Sequence, residues 1–384
     1  MTDQSVISPQ REFIVYWLPA LVAAGLAALS FMVLGHTPLV RALGLAGAVA
    51  GITLTVRRLG GVLAVMGGLA LAFSPAFWSQ TGGSTSSTLE VIAVLLGIVA
   101  VVTVLAVALS KRPVIGVGIG VALFAVLFWL VVGTSQSLRL TTLFTAWVLY
   151  LLVDALRTSN PRPDGPPPKP LRLRHTAGLL LLLALGVVND PLVLLLTPAV
   201  ALGWSLAQPS VSRGYWLLLV LVAAFGTYTL AETYLNSGWW LYPAAQAEVG
   251  GIRVPFMMAD GWREGVRWLY LFRLVIEQFT LVGVLLGVLG VARLARWYPP
   301  MGVVTMAVYA AYALFGLMYF GKDSAVLLLP LLMTQVIWMT YAAYTLGEWL
   351  KKSLHQESGL VRWVAPAAYT LLPALLLLRI LGRV

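Results

Sequence analysis

The sequence predicts an all-α polytopic integral membrane protein, and three observations carry that prediction. Hydrophobic residues fill 60% of the 384 positions and charged residues only 10%. Mean hydropathy is +0.91, beyond what a soluble domain hides in its core. Most Lys and Arg residues sit at the ends of apolar runs, where they report topology. The formal charge of +11 therefore does not point to a nucleic-acid partner. Cysteine is absent, which excludes disulfides, thiolate metal sites and a Cys nucleophile. His36, His175 and His355 are widely separated and offer no ligand spacing.

A spanning helix takes about 20 apolar residues. Runs between polar breaks place helices near 14–34, 38–56, 61–77, 89–109, 114–132 and 139–156. The second half adds 176–188, 191–207, 215–231, 267–292, 301–320, 325–347 and 362–382, giving about 13 helices in all. The pair 176–188 and 191–207 is short and is broken by "VVNDP". It reads as two tilted short helices or as one re-entrant hairpin. "GVGIG" at 116–120 reads as close helix packing within a span. Asp190 before Pro191 reads as a helix cap followed by proline at the first helical position. Arg273 and Glu277, four residues apart, read as an ion pair on one helix face turned into the bundle.

Alternate connections carry the positive charge. One set holds Arg11, Arg57–Arg58, Lys111–Arg112, the stretch from Arg157 to His175, Arg213, Arg293, Arg296, Lys351–Lys352 and Arg362. The other holds "GHTP", "WSQTGGSTSST", "GTSQS", "ND", the 232–266 loop and "GKDS". Cytoplasmic loops collect Lys and Arg, so the N-terminus is expected inside and the C-terminus outside. Either reading of the 176–207 pair keeps this phase. The stretch "RTSNPRPDGPPPKPLRLRH" (157–175) is an extended, basic, proline-rich cytoplasmic linker. Its charge suits anionic headgroups, although a solvated connector explains it as simply. It separates an N-terminal bundle, 1–156, from a C-terminal bundle, 176–384, that carries the outer loop 232–266. The first apolar run is long and no small-residue cleavage site closes it, so no secretory cleavage signal is expected.

The expected outer face holds the polar chemistry. "LAFSPAFWSQTGGSTSSTLEV" (71–91) passes abruptly from an apolar helix through Phe77, Trp78, Ser79 and Gln80 into Gly, Ser and Thr. The 232–266 loop gathers Trp239, Trp240, Tyr242 and Trp262 with Glu232, Glu248, Asp260 and Glu264. Such rings anchor at headgroup depth, and rings beside carboxylates also hold sugars. Lys322 and Asp323 stand at an outer helix mouth. They are a functional hypothesis by their position, while Asp323 also suits a helix N-cap. Phosphate-binding-loop, dinucleotide and HExxH motifs are absent.

In their order along the chain, four stretches resemble the GT-C-type membrane glycosyltransferases, on the branch of bacterial relatives of multi-spanning protein O-mannosyltransferases. "LAFSPAFWSQ" is similar to an outer helix end of that family, and "TVRRLGG" (55–61) to its basic turn after an early helix. "YLFRLVIEQFTLVGVLLGVLGVARLAR" (270–296) resembles its long helix after the outer loop. "YFGKDSAVLLLPLLMTQVIWMTYAAYTLG" (319–347) resembles the segment where an outer Asp precedes an apolar helix. The similarity covers roughly residues 40 to 350. It implies a GT-C-like bundle in a bacterial cytoplasmic membrane that takes a polyprenyl-phosphate-linked sugar from the membrane on the outer face. The family's base is an acid in the first outer loop. Here that connection is only "GHTPL" (35–39), without Asp or Glu, and Thr85 stands near the family's second acidic position.

Under this resemblance Asp260, Glu264, Asp323 or Glu232 is the base, and Arg253, Arg263, Arg267 or Lys322 meets the phosphate. Trp78, Ser79 and Gln80 form the lip of an outward cavity, and Trp239, Trp240 and Tyr242 meet the sugar. A divalent metal could bind these acids, but no spacing demands one. The missing first-loop acid equally suits a non-catalytic scaffold or lipid-binding subunit with a membrane-protein partner. A lipid or small-solute transporter is the third alternative. It would need deep ionisable residues or an inverted repeat, and Arg273 with Glu277 is the only deep pair.

Overall fold

The computed structural model describes residues 9–82, 88–110, 113–132, 138–159, 169–208, 210–237, 248–249, 252–253, 260–321, 324–353 and 361–382. The first half contains α1 (Pro9–Val33), α2 (Leu39–Val56), α3 (Gly61–Ala72), the single turn α4 (Pro75–Trp78), α5 (Thr88–Ser110), α6 (Pro113–Val132) and α7 (Leu138–Ser159). A π turn, Arg174–Gly178, opens α8 (Leu179–Asn189), and a 3-10 turn, Pro191–Leu196, opens α9 (Thr197–Ser205). There follow α10 (Arg213–Ser237), α11 (Gly265–Trp297), α12 (Pro299–Met318), the short α13 (Ser324–Leu327), α14 (Leu329–Ser353) and α15 (Val361–Ile380). The described strands are a two-residue antiparallel pair, β1 (Glu248–Val249) and β2 (Ile252–Arg253), with Glu248 opposite Arg253.

Among the described residues, seven helices are long and apolar enough to cross a membrane: α1, α2, α7, α10, α11, α12 and α15. The architecture is that of a multi-pass membrane protein. Their outward faces carry leucine and valine, for example Leu21, Leu217 and Val288, because lipid rather than water is the solvent there.

Long-range hydrogen bonds sort the helix ends into two groups. At one end the α1–α2 turn meets the chain after α4, where Gly82 N–H donates to Thr37 Oγ1 at 2.9 Å and Arg41 Nη1 donates to Gly82 O at 2.5 Å. The start of α7 joins them through Thr142, whose hydroxyl donates to Gln80 Oε1 at 3.0 Å. This is the Gln80 end. At the opposite, Asp154 end, Tyr16 and Tyr150 share a hydrogen bond of 2.9 Å, and Tyr298 OH donates to Leu156 O at 2.9 Å.

The short pair resolves as two short apolar helices that lie alongside the middle of α7. His175 bonds Asp154 at 2.9 Å, while Asn189 Nδ2 donates to Thr141 Oγ1 at 2.9 Å. The stretch between His175 and Asn189 rises about 21 Å at helical pitch, matching Thr141 to Asp154 on α7. The return strand of the hairpin is equally deep, since Trp204 Nε1 donates to His175 O at 3.2 Å. Asp190 caps the turn between them, its Oδ1 accepting from Leu192 N–H at 3.0 Å with Pro191 at the first position. The "GVGIG" reading also holds, because Gly116 and Gly120 lie directly against Val107 and Thr103 of α5.

The 267–292 run departs from expectation. It is one 33-residue helical stretch broken at Thr280, whose backbone turns to φ 64°, ψ 172°. Beyond the break, Gly287 and Gly290 bring α11 against α14, and a Cβ at Gly290 would overlap the Trp338 carbonyl. Before the break the helix stays at the Gln80 end. Arg267 sits on the last turn of α12, Leu271 lies near Gly316, and Gln278 Oε1 accepts from Ala76 N–H of α4 at 2.7 Å. The Arg273–Glu277 pair forms at 2.9 Å but points outward, the side chains being 77% and 49% exposed. The reading that turned it into the bundle is thus corrected. Above the break the pair lies at the level of the helix ends, where charge is far cheaper than in hydrocarbon.

A β-branched residue at positive φ is strained by about 1–3 kcal/mol. Thr280→Gly should therefore raise the thermal unfolding midpoint in detergent, by the equivalent of about 1 kcal/mol. A lower midpoint would mean that the threonine side chain, rather than the surrounding packing, sets the break.

Candidate functional site

The Gln80 end is built from short polar turns laid on an aromatic floor. Ser74 leaves the helical conformation at φ −69°, ψ 140°, and its hydroxyl donates to Leu71 O at 2.8 Å. Pro75 then starts the single turn α4. Phe77 is fully buried and stacks on Phe31 at 5.9 Å, while Trp78 packs on Phe31 at 5.6 Å and on Phe73 at 6.2 Å. Ser79 is exposed and its hydroxyl donates to Ala76 O at 2.8 Å. Gln80 is buried on Thr142. The aromatic exit of "AFWSQ" thus closes inward and locks α1, α3 and α7 together, and only Ser79 of the expected lip is fully presented to the surface.

Asp260, Arg263 and Glu264 do come together. They occupy and flank the 3-10 turn Gly261–Arg263, and all three side chains are exposed. The turn is seated by Gly261, where a Cβ would collide with the Leu317 carbonyl. Arg263 lies 5.0 Å over the Trp262 ring, and Trp268 Nε1 donates to Trp262 O at 2.8 Å. Glu264 stands at the N-cap of α11 and makes no side-chain cap bond, so its carboxylate faces solvent beside the positive helix terminus.

Arg267 is placed differently from its neighbours. It is buried, with Nε donating to Leu317 O at 3.1 Å and Nη2 to Gly316 O at 2.6 Å and to Tyr319 O. Its guanidinium also lies 4.0 Å over Phe320 and 4.8 Å over Tyr270. Three N–H groups are thereby spent on carbonyls that the end of α12 leaves open. Next to it Tyr270 and Ser324 share a hydrogen bond of 2.6 Å.

Glu232 lies in α10 and Arg253 in β2, but their side chains lie outside the described residues, as do Trp239, Trp240, Tyr242, Lys322 and Asp323. Among the described residues, no group of three or more His, Cys, Asp or Glu side chains is placed to hold a metal ion.

Two polar clusters escaped the reading by sequence. Beneath the Gln80 end, a cavity of about 10 Å³ is lined by Thr141, Thr142, Thr145, Asp190 and Tyr312 among apolar neighbours, room for about one water. Thr141 Oγ1 donates to Asp190 Oδ2 at 3.1 Å, Tyr312 OH donates to Leu192 O at 3.1 Å, and the Thr145 hydroxyl has no partner among the described residues. At the Asp154 end, Asp154 Oδ2 accepts from Arg174 Nη2 at 2.5 Å and from His175 Nε2 at 2.9 Å. This clamp fixes where the chain re-enters the bundle after the linker. A hollow of about 300 Å³ lies beside it, lined by Pro170, Leu171, Leu173, Thr176 and Tyr215 with the 210–212 turn. "TTLFT" at 141–145 was the available signal for the first cluster, since it repeats hydroxyls on one helix face.

The chain matches no protein-family model, no curated protein and no solved structure.

Arg267→Lys keeps the charge but not the planar fork that reaches three carbonyls. It should lower stability by about 2 kcal/mol, read as a lower thermal midpoint in detergent. An unchanged midpoint would mean that water satisfies those carbonyls and that Arg267 is available to a ligand.

Proposed function

We propose that the chain is a GT-C-like glycosyltransferase of the bacterial cytoplasmic membrane, with about 13 crossings, its N-terminus inside and its C-terminus outside. On this reading the Gln80 end faces out and receives a polyprenyl-phosphate-linked sugar from the membrane. The observation that carries the reading is the exposed turn that groups Asp260, Arg263 and Glu264 beside Trp262, next to the outward apolar face of α11. The basic residues Arg57, Arg157, Arg174, Arg213, Lys351 and Lys352 all fall at or near the Asp154 end, which supports this orientation.

Asp260 or Glu264 takes the proton of the acceptor hydroxyl, and that oxygen bonds to the anomeric carbon of the sugar. The bond between that carbon and the phosphate oxygen breaks, and polyprenyl phosphate leaves with its charge met by Arg263. Trp262 offers a ring face to the sugar.

A second reading has two observations in its favour. Gln80 and Arg267 are committed to internal hydrogen bonds, and the 35–39 turn carries no acid, as suits a non-catalytic lipid-binding subunit.

Purified protein in nanodiscs, given radiolabelled polyprenyl-phosphate sugar and compared with Asp260→Asn, Glu264→Gln and Asp323→Asn, separates the two. Transfer or donor hydrolysis reduced about 10²–10⁴-fold in one variant identifies the base. Binding without turnover in the wild type makes the chain a subunit. Absence of binding removes the lipid-donor reading altogether.

A further inference from the structure

Breaking α11 at Thr280 exposes a second basic point that the transferase reading does not use. Arg379, near the end of α15, donates from Nη1 to Glu277 O at 2.7 Å. This carbonyl lies in the last turn before the break, and a cation is favoured at such a helix C-terminus. Arg273 Nε meanwhile donates to Glu277 Oε1 at 2.9 Å. One guanidinium thus pairs with the Glu277 carboxylate and the other sits on the Glu277 backbone carbonyl, leaving one net positive charge at this point. Both arginines and Glu277 are exposed.

The surroundings are apolar. On the same half of α11, Val266 is 75% and Leu269 65% exposed, with Trp268 and Phe272 also turned outward. Toward the Asp154 end, α11 exposes Leu281, Val282 and Leu285, and α15 exposes Leu371, Leu375 and Leu378. In water such faces would be an uncovered hydrophobic patch. At the level of the helix ends they suit acyl chains, with the arginines at headgroup height.

We propose that the junction of α11 and α15 binds an anionic phospholipid at the Gln80 end of the membrane. Its phosphate sits on Arg273 and Arg379, and its acyl chains lie along the exposed leucines and valines of the two helices. The headgroup is a diester phosphate carrying net negative charge, since a zwitterionic headgroup leaves the extra positive charge of the cluster unmatched. The inference is independent of sugar transfer and stands or falls without it.

The test uses the full chain in nanodiscs of mixed phosphatidylglycerol and phosphatidylcholine, one lipid at a time carrying a photoactivatable group in its acyl chain. Crosslinks are mapped by mass spectrometry to the 265–288 and 371–381 regions. The wild type should favour phosphatidylglycerol by about fivefold there, the factor one guanidinium contributes toward an anionic headgroup. Arg273→Gln with Arg379→Gln should abolish that preference, and Glu277→Gln should increase it. Arg213→Gln, at the other end, should leave it unchanged. Equal labelling by the two lipids in the wild type overturns the proposal, and so does a preference that ignores both the arginine and the Glu277 substitutions. If the double variant fails to fold, the wild-type ratio and the Glu277→Gln shift still decide the matter.

Discussion

Hydrocarbon offers no hydrogen-bond partner, so a polar group carried at depth is stable chiefly where another part of the protein meets it. The two ends of the bundle are arranged around that requirement. Thr142 meets Gln80, Gln278 meets the backbone of Ala76, and Asn189, Thr141 and Asp190 meet one another. Each bond joins segments far apart in sequence, so the polar groups tie helices together where apolar packing alone would let them slide. Asp154 does the same at the opposite end by gathering Arg174 and His175. Between the two ends the interior is mainly leucine, valine, alanine and aromatic side chains, and the polar groups buried there, such as Gln335 on Gly283 O and Thr340 on Tyr369, are bonded across helices as well.

The break at Thr280 divides the cations of the Gln80 end into two kinds. Arg267 turns inward and closes the open carbonyls of α12, so its charge is part of the architecture. Arg263, Arg273 and Arg379 remain on the surface, where a phosphate can reach them.

Features governed by neighbours in sequence were legible before the structure. The Asp190 cap with Pro191, the glycine contacts of "GVGIG" and the spacing of Arg273 and Glu277 depend on a few residues and their local periodicity. The outward direction of that ion pair was not legible, because it follows from the break at Thr280, and threonine is neither a usual helix breaker nor a usual residue at positive φ. Nor could sequence show that Gln80 and Arg267 face inward. A glutamine or arginine at a helix end looks the same whether its partner is a ligand or a carbonyl some fifty residues away. The clamp on Asp154 was hidden for a similar reason, since its two partners follow a proline-rich linker of no fixed helical register.

The opposition of the two ends across a membrane is the central claim, and the cysteine-free sequence makes it directly measurable. Single cysteines at Ser79 and at Arg58, both exposed, would be labelled in intact cells with a membrane-impermeant maleimide, before and after permeabilisation. The account predicts that Ser79→Cys reacts from outside at once and that Arg58→Cys reacts only after permeabilisation. Reaction of both from the same side would contradict it.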